Sequence, residues 1–567
     1  MGSGFQFVFL AAFLIASPLT AKSSWVEVRT PHFRVVSDAG EKSARRVASE
    51  LETIREVYRS IIGARLGSAE PIVVFAASDE DGFEALLHPR SRKGGDRLAG
   101  MFMEVPFGFR ILLRLDVSGE YRFRTVYHEY FHYLTRKNLG ALPPWINEGM
   151  AEYWETIDIR EKEILVGRPN EHHLALLANE SLLPLETLLT ADHASPHYQE
   201  EYKRVLFYAQ SWAFTHFLQS DPERRELLSK YLTSLEEGDR LEAARRTFGD
   251  LDVLRDDLRR YLRRYQFTGV RISRPAPLPE EQLSSRPLSE PEMLAVRGDH
   301  LVRIGDGEGG ESLLNQGIKR NPGLAEAHES LGFRYFRQGQ REKARQSFEE
   351  AIRIEPGRYL SHFLLAETLM GDDASARAGA EEHYLQALTL DKEFAPVYRG
   401  LSWFYYAQDE TPKRSAGLSR QAVAIAPHTA QYRLDWAYFL RELGEIGPAE
   451  REAGEAVRMA LAAEGPYHAN SVCWFGSLYG FASIALASCE AAVTRGPESA
   501  SFRDSRGLAR ALTGDLSGAA EDFRFYVEHI DDESGGRKEK RKGWIVALAK
   551  GENPFDTSTL RALRTNP

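Results

Sequence analysis

Residues 127–155 read YHEYFHYLTRKNLGALPPWINEGMAEYWE, and this stretch decides how the first half of the chain is built. Phe123, Tyr127, Tyr130 and Leu134 recur at spacings of three and four, which predicts a helix with an apolar stripe. On that helix His128 and His132 are four apart and share a face, so both imidazoles can grip one ion. Glu129 stands beside His128 and can reach a water on such an ion without being a ligand. A divalent cation lowers the pKa of that water towards ~7, and the carboxylate can then take its proton. Two histidines leave a tetrahedral site incomplete; a third protein ligand is needed, with one position open. Downstream, Pro143 and Pro144 suit a helix start, and Asn147–Trp154 reads as a second helix. Glu148 and Glu152 lie on one of its faces. One can bind the ion while the other accepts a hydrogen bond from a ligating imidazole.

On the N-terminal side, TPHFRVVSD (30–38) alternates as a strand does, and residues 41–62 carry helical spacing. PIVVFAA (71–77) is a short buried strand. GMFMEVPFGFRILLRLD (100–116) predicts a hairpin around Pro106-Phe107-Gly108. Beyond Tyr121 the pattern is mostly helical, interrupted at 157–167 by a second candidate hairpin. Strands first and helices afterwards predict an α+β domain over 24–267. His172-His173, in the polar run GRPNEHH, reads as a solvated loop.

HEYFH followed by WINEGMAEY resembles the gluzincin metallopeptidases. More closely, the chain is similar to exported peptidase MA-like proteins, including those with a DUF1570-like domain, in which tetratricopeptide repeats can follow the catalytic domain. HFRVVSD, YHEYFHYL, LPPWINEGMAEYW and FYAQSWAFTHFL carry the resemblance over most of 24–220. It implies a zincin-like α+β fold, Zn2+ held by His128, His132 and Glu148, Glu129 as general base, and Glu152 supporting a ligand. It also implies hydrolysis of a protein or peptide substrate. The group often takes an oxyanion donor from a later helix; Tyr208 is the candidate, ahead of His216 and Tyr202. RILLRL (110–115) resembles the edge strand that pairs with an extended substrate.

Between Arg274 and Pro291 there are five prolines, which predicts a semi-rigid spacer over 268–290. A repeat follows over 291–531. In its best copy, 325–356, Leu331, Gly332, Tyr335, Gly339, Ala344, Phe348, Ala351 and Pro356 fall in the register of the tetratricopeptide repeat, which this region resembles. The register recurs at 291–322, 430–461, 466–497 and 500–531, with degraded copies near 358–392 and 394–427. About seven helical hairpins result, an all-α solenoid whose groove suits protein partners. Residues 532–567 read as a capping helix and tail, with RKEKRK (537–542) on its solvated face. Cys473 and Cys489 fall at facing positions of one hairpin, so a disulfide is expected between them if the compartment is oxidising.

The chain has 567 residues, and its net charge of -10 argues against a protein built to grip nucleic acid. Two cysteines exclude a disulfide framework and any four-cysteine metal site. FQFVFLAAFLIA (5–16) is short for a bilayer-spanning helix and reads as a signal-peptide core, with cleavage after Ala21 or retention as an N-terminal anchor. The chain is therefore expected outside the cytoplasm, periplasmic or secreted. Two functions follow from the same residues. One is an exported zinc metallopeptidase whose repeats recruit substrate or partners. The other is a non-catalytic exported repeat scaffold with a metal-binding recognition domain.

Overall fold

The structure, a computed structural model, describes residues 25–62, 71–90, 99–117, 123–140, 142–192, 195–235, 239–264, 267, 269–370, 374–408, 412–463, 465–530 and 536–565. The segment read as a signal peptide lies outside them. Among the described residues no helix is long and apolar enough to cross a membrane.

The N-terminal region is α+β. Strands β1 (Val26–Arg29), β2 (Phe33–Ser37), β3 (Ile72–Ala77), β4 (Gly100–Val105) and β5 (Gly108–Arg114) form one mixed sheet in the order β4-β5-β3-β2-β1, completed beside β1 by β9 (Ser284–Pro287). Strand alternation sorts its two faces. Phe33, Val35, Val74, Ile111 and Leu113 pack under the helix Glu41–Ile62 and the helix that carries the histidines. Val36, Phe75 and Leu112 point the other way, towards Phe83, Leu86, Leu288 and Val296. A smaller sheet, β6 (Asp158–Ile159), β7 (Glu163–Val166) and β8 (Val270–Ser273), contains the hairpin expected at 157–167.

Two sequence expectations need correcting here. The 268–290 segment is not a plain spacer: it supplies β8 to the small sheet and β9 to the large one. Its prolines are tolerated because Pro275, Pro277 and Pro279 fall between the strands and Pro287 ends an edge strand, where no ladder N–H is needed. RILLRL is not an edge. β5 pairs with β4 on one side and β3 on the other, so among the described residues the edge strand at this side of the sheet is β4, with β9 at the other.

From Glu290 onward the described residues form seven helical hairpins: Glu290–Arg303 with Gly307–Arg320, Ala325–Arg337 with Arg341–Ile354, Tyr359–Leu369 with Ala374–Leu390, Ala395–Ala407 with Pro412–Ile425, Ala430–Glu442 with Ile446–Ala462, Tyr467–Leu478 with Ala482–Arg495, and Ala500–Thr513 with Leu516–His529. In the best copy Gly332 lies so close to the Phe348 ring that a Cβ would sit 2.6 Å from it. The copies that look degraded in sequence are complete hairpins, filled by Phe363, Tyr384 and Phe404 instead of the usual pattern. Cys473 and Cys489 are bonded to each other in the sixth hairpin, both fully buried. Helices Arg537–Ala549 and Thr557–Thr565 close the end. Arg541, within RKEKRK, is buried on Asp504 rather than solvated.

Candidate metal centre

The helix Arg124–Leu139 is fixed by its apolar stripe. Tyr130, Phe131 and Leu134 are buried in the sheet-facing core, and Phe131 stacks on Trp154 of the next helix, Pro144–Trp154. That helix begins on Pro144, whose missing N–H costs nothing at a first turn. It packs in turn on the long helix Glu201–Gln219, and the point of contact is Gly149. A Cβ there would lie 2.3 Å from Thr215 Oγ1 and 2.4 Å from the Ser211 carbonyl oxygen. The glycine after Glu148 thus lets two helix backbones approach and seats Glu148 against the histidines.

Three ligand-type atoms converge. His128 Nε2 and His132 Nε2 are 3.0 Å apart, and Glu148 Oε2 lies 3.3 Å from the first and 3.4 Å from the second. A tetrahedral ion with bonds of about 2.0–2.1 Å sets its ligand atoms about 3.3 Å apart, so this triangle is one face of such a site. Glu148 is only 2% exposed. Burial pushes its carboxyl up, but hydrogen bonds and charge from His128 and His132 outweigh that and hold it well below the usual carboxylate range. Burial likewise opposes charge on His128, while Glu148 and Glu155 favour it and win. A buried carboxylate facing two imidazole nitrogens is a cavity built for positive charge, and the donor set of two nitrogens and one oxygen fits zinc. Glu129 is half-buried beside His128 and is not one of the converging donors.

Glu152 and Glu155 both lie near His128, their ligand-type atoms all within 4.8 Å of one another. Glu155 Oε2 lies 3.4 Å from His128 Nδ1, the nitrogen turned away from the triangle. Glu152 Oε2 instead meets His173 Nε2 at 2.8 Å, with Arg124 Nη2 at 3.4 Å. Arg124 also donates to Glu155. Burial pushes Glu155 up, whereas His173 and the bond from Glu155 keep Glu152 low despite its burial. Glu148, Glu152 and Glu155 follow the spacing 0, 4, 7, so the sequence held the signal for Glu155. His173 is not a solvated loop residue: Asn170 caps a helix, Glu171–Asn179, that carries it onto Glu152.

Tyr208 is three residues before Ser211 and seven before Thr215, hence on the face of the long helix that meets Gly149. It is half-buried beside Phe207. His216 is spent elsewhere, with Nδ1 2.7 Å from Tyr261 Oη and Nε2 2.9 Å from the Gly167 carbonyl. Tyr202 is exposed and bonded to Glu180.

Among known families, the tetratricopeptide repeat matches residues 325–358. No curated protein matches the chain. Among solved structures it is similar to a tetratricopeptide repeat protein from Parabacteroides merdae, at 17% identity over 46% of this chain and 99% of that one, TM-score 0.35. It is also similar to PilW, described as a widely conserved type IV pilus biogenesis factor, at 18% identity over 38% of this chain and 97% of that one, TM-score 0.30. MamA protein is similar at 17% identity over 30% and 91%, TM-score 0.26. The family match makes residues 325–358 a tetratricopeptide repeat, set within a run of helical hairpins; repeats of this type offer a surface that meets protein partners.

Proposed function

We propose that this chain is an exported, repeat-bearing zinc metallopeptidase. The observation that supports it is the triangle of His128 Nε2, His132 Nε2 and Glu148 Oε2, with Glu129 one residue from the first of them. When bound, zinc would polarise the scissile carbonyl and make water a nucleophile near neutral pH. Glu129 holds the proton taken from that water and passes it to the leaving amine. Tyr208 donates to the developing oxyanion from the long helix. The free edge of β4 offers its backbone to an extended peptide. Glu155 and Arg124 orient the His128 ring. The repeats supply the docking surface for substrate or partner proteins.

The family match favours a second reading, the non-catalytic exported scaffold, because it bears on the repeats alone. One experiment separates the two. Purified protein is assayed for bound metal and for hydrolysis of casein, alongside Glu129→Gln. Stoichiometric zinc in both, with turnover only in the wild type, is the expected result. Zinc without turnover across a broad peptide panel makes the chain a scaffold. Absence of zinc ends the peptidase reading.

A further inference from the structure

The turn between β4 and β5 leaves the N-terminal domain and enters the repeats. Phe107 in that turn has φ 60°, a left-handed conformation that a bulky side chain rarely adopts. Packing holds it there. Its ring lies 5.9 Å from Phe333, 5.9 Å from Phe363 and 6.2 Å from Phe394. Phe333 and Phe363 sit on the first helices of two successive repeat hairpins, and Phe394 directly precedes the first helix of the next. Polar contacts frame the ring. Arg303 Nη1 donates to the Pro106 carbonyl at 2.6 Å. Arg110 Nη2 reaches Asp299 Oδ2 at 2.7 Å, and Arg303 Nε reaches Asp299 Oδ1 at 2.7 Å. All three of these charged side chains are buried. Arg34 adds a second tie, to Glu326 of the repeats at 2.6 Å. Space remains around the turn: it borders a cavity of about 1270 Å³ that Phe107, Arg110, Arg303, Glu329, Arg358 and Phe394 help to line.

We propose that Phe333, Phe363, Phe394 and Arg303 form a recognition site for an aromatic β-turn, and that the chain's own Pro106-Phe107 turn occupies it in cis. A protein partner presenting a proline–aromatic turn gains this site only by displacing that turn. The strained φ of Phe107 is relieved on release, so the cis contact is displaceable. Release also reaches the metal helix, because the Phe109 ring is 4.2 Å from that of Tyr133, the residue after His132. This last consequence rests on the proposed metal centre; the docking itself does not.

The test uses the full chain and a fluorescein-labelled cyclic peptide of residues 103–110, MEVPFGFR, read by fluorescence anisotropy. Phe107→Gly removes the ring from the aromatic part of the site and suits the left-handed turn, so the variant keeps its fold. It is expected to bind the peptide about tenfold or more tighter than the wild type, whose site is already filled. Adding Arg303→Gln should remove most of that gain. Hydrogen exchange of Gly100–Arg114 should be faster in Phe107→Gly and, in the wild type, should accelerate at high peptide concentration. Equal peptide binding by wild type and Phe107→Gly, or unchanged exchange in the hairpin, overturns the proposal. The binding difference should persist after chelation, so loss of the metal reading would leave this result standing.

Discussion

Gly149→Ala tests the packing that seats Glu148. The added Cβ would meet Thr215 Oγ1 at 2.3 Å and the Ser211 carbonyl oxygen at 2.4 Å. Comfortable contact begins near about 3.5 Å, so one of the two helices must retreat by about 1 Å. Thr215 can turn its hydroxyl aside, but the Ser211 carbonyl is helix backbone and cannot. Overpacking costs about 1–3 kcal/mol, and a rigid obstacle puts this case at the upper end. Alanine returns up to about 1 kcal/mol of helix propensity. The net expectation is about 2 kcal/mol of lost stability in urea unfolding. Zinc affinity should fall too, because Glu148 moves with its helix. Thr215→Ala in the same chain should restore less than half of the stability, since the carbonyl clash stays. A Gly149→Ala protein as stable as wild type, or more so, would refute the close approach and leave propensity as the only effect at that position.

Three further outcomes can be measured. Glu155→Gln should weaken zinc binding about 10–100-fold, more than Glu152→Gln does, because Glu155 is the carboxylate on His128 Nδ1; isothermal titration decides the order. Glu27 is buried, which raises its pKa, but hydrogen bonds and charge from Arg29 and Arg34 overcome this and hold it at about 2. A depressed carboxylate contributes stability that is complete above the ordinary 4.5 and lost as pH falls towards about 2. The loss is about 3 kcal/mol across that window, and Glu27→Gln should flatten it in acid unfolding curves. Unreduced, unfolded protein should show no free thiols, and reduction of the sixteen-residue Cys473–Cys489 link should cost about 3 kcal/mol.

The parts of the site that were legible are those set by helix geometry alone. His128 and His132, or Glu148 and Glu152, share a face whatever surrounds them, because spacing four fixes that. Which carboxylate then meets His128 depends on the crossing of two helices, which spacing does not determine. It falls to Glu155, a turn beyond the residue that family likeness suggested. His173 is hidden for a similar reason: its run is polar, and only the cap at Asn170 and the partner at Glu152 give it a place. The edge strand was out of reach because sheet order is a non-local property. β5 is the more buried strand because it is paired on both sides, although its two arginines make its sequence no more apolar than that of the half-exposed β4 at the sheet's edge. The repeats were readable even where their signature decays, since small residues against large ones at helical spacing survive as Gly400 against Tyr384.

The proline-rich segment looks like a hinge between two independent bodies, yet the packing makes it a seam. Val36, Phe75 and Leu112 are fully buried, and part of their cover is Leu288, within the proline-rich segment, and Val296, beyond it. His300, on the first repeat helix, donates from Nε2 to the Leu86 carbonyl and lies against Phe75. A chain ending at residue 267 would lose β8, β9 and that helix together. Each large apolar side chain returned to water costs about 1.5–3 kcal/mol, and a whole domain holds only about 5–15 kcal/mol in reserve. Baring part of one face of the central sheet therefore consumes a large part of that reserve. Cleavage at the prolines would not release a working N-terminal domain from a passive scaffold. The first repeat is part of the wall of the sheet that carries the candidate metal helix on its other face, so whatever this chain binds through its repeats is bound by the same folded unit that holds His128, His132 and Glu148.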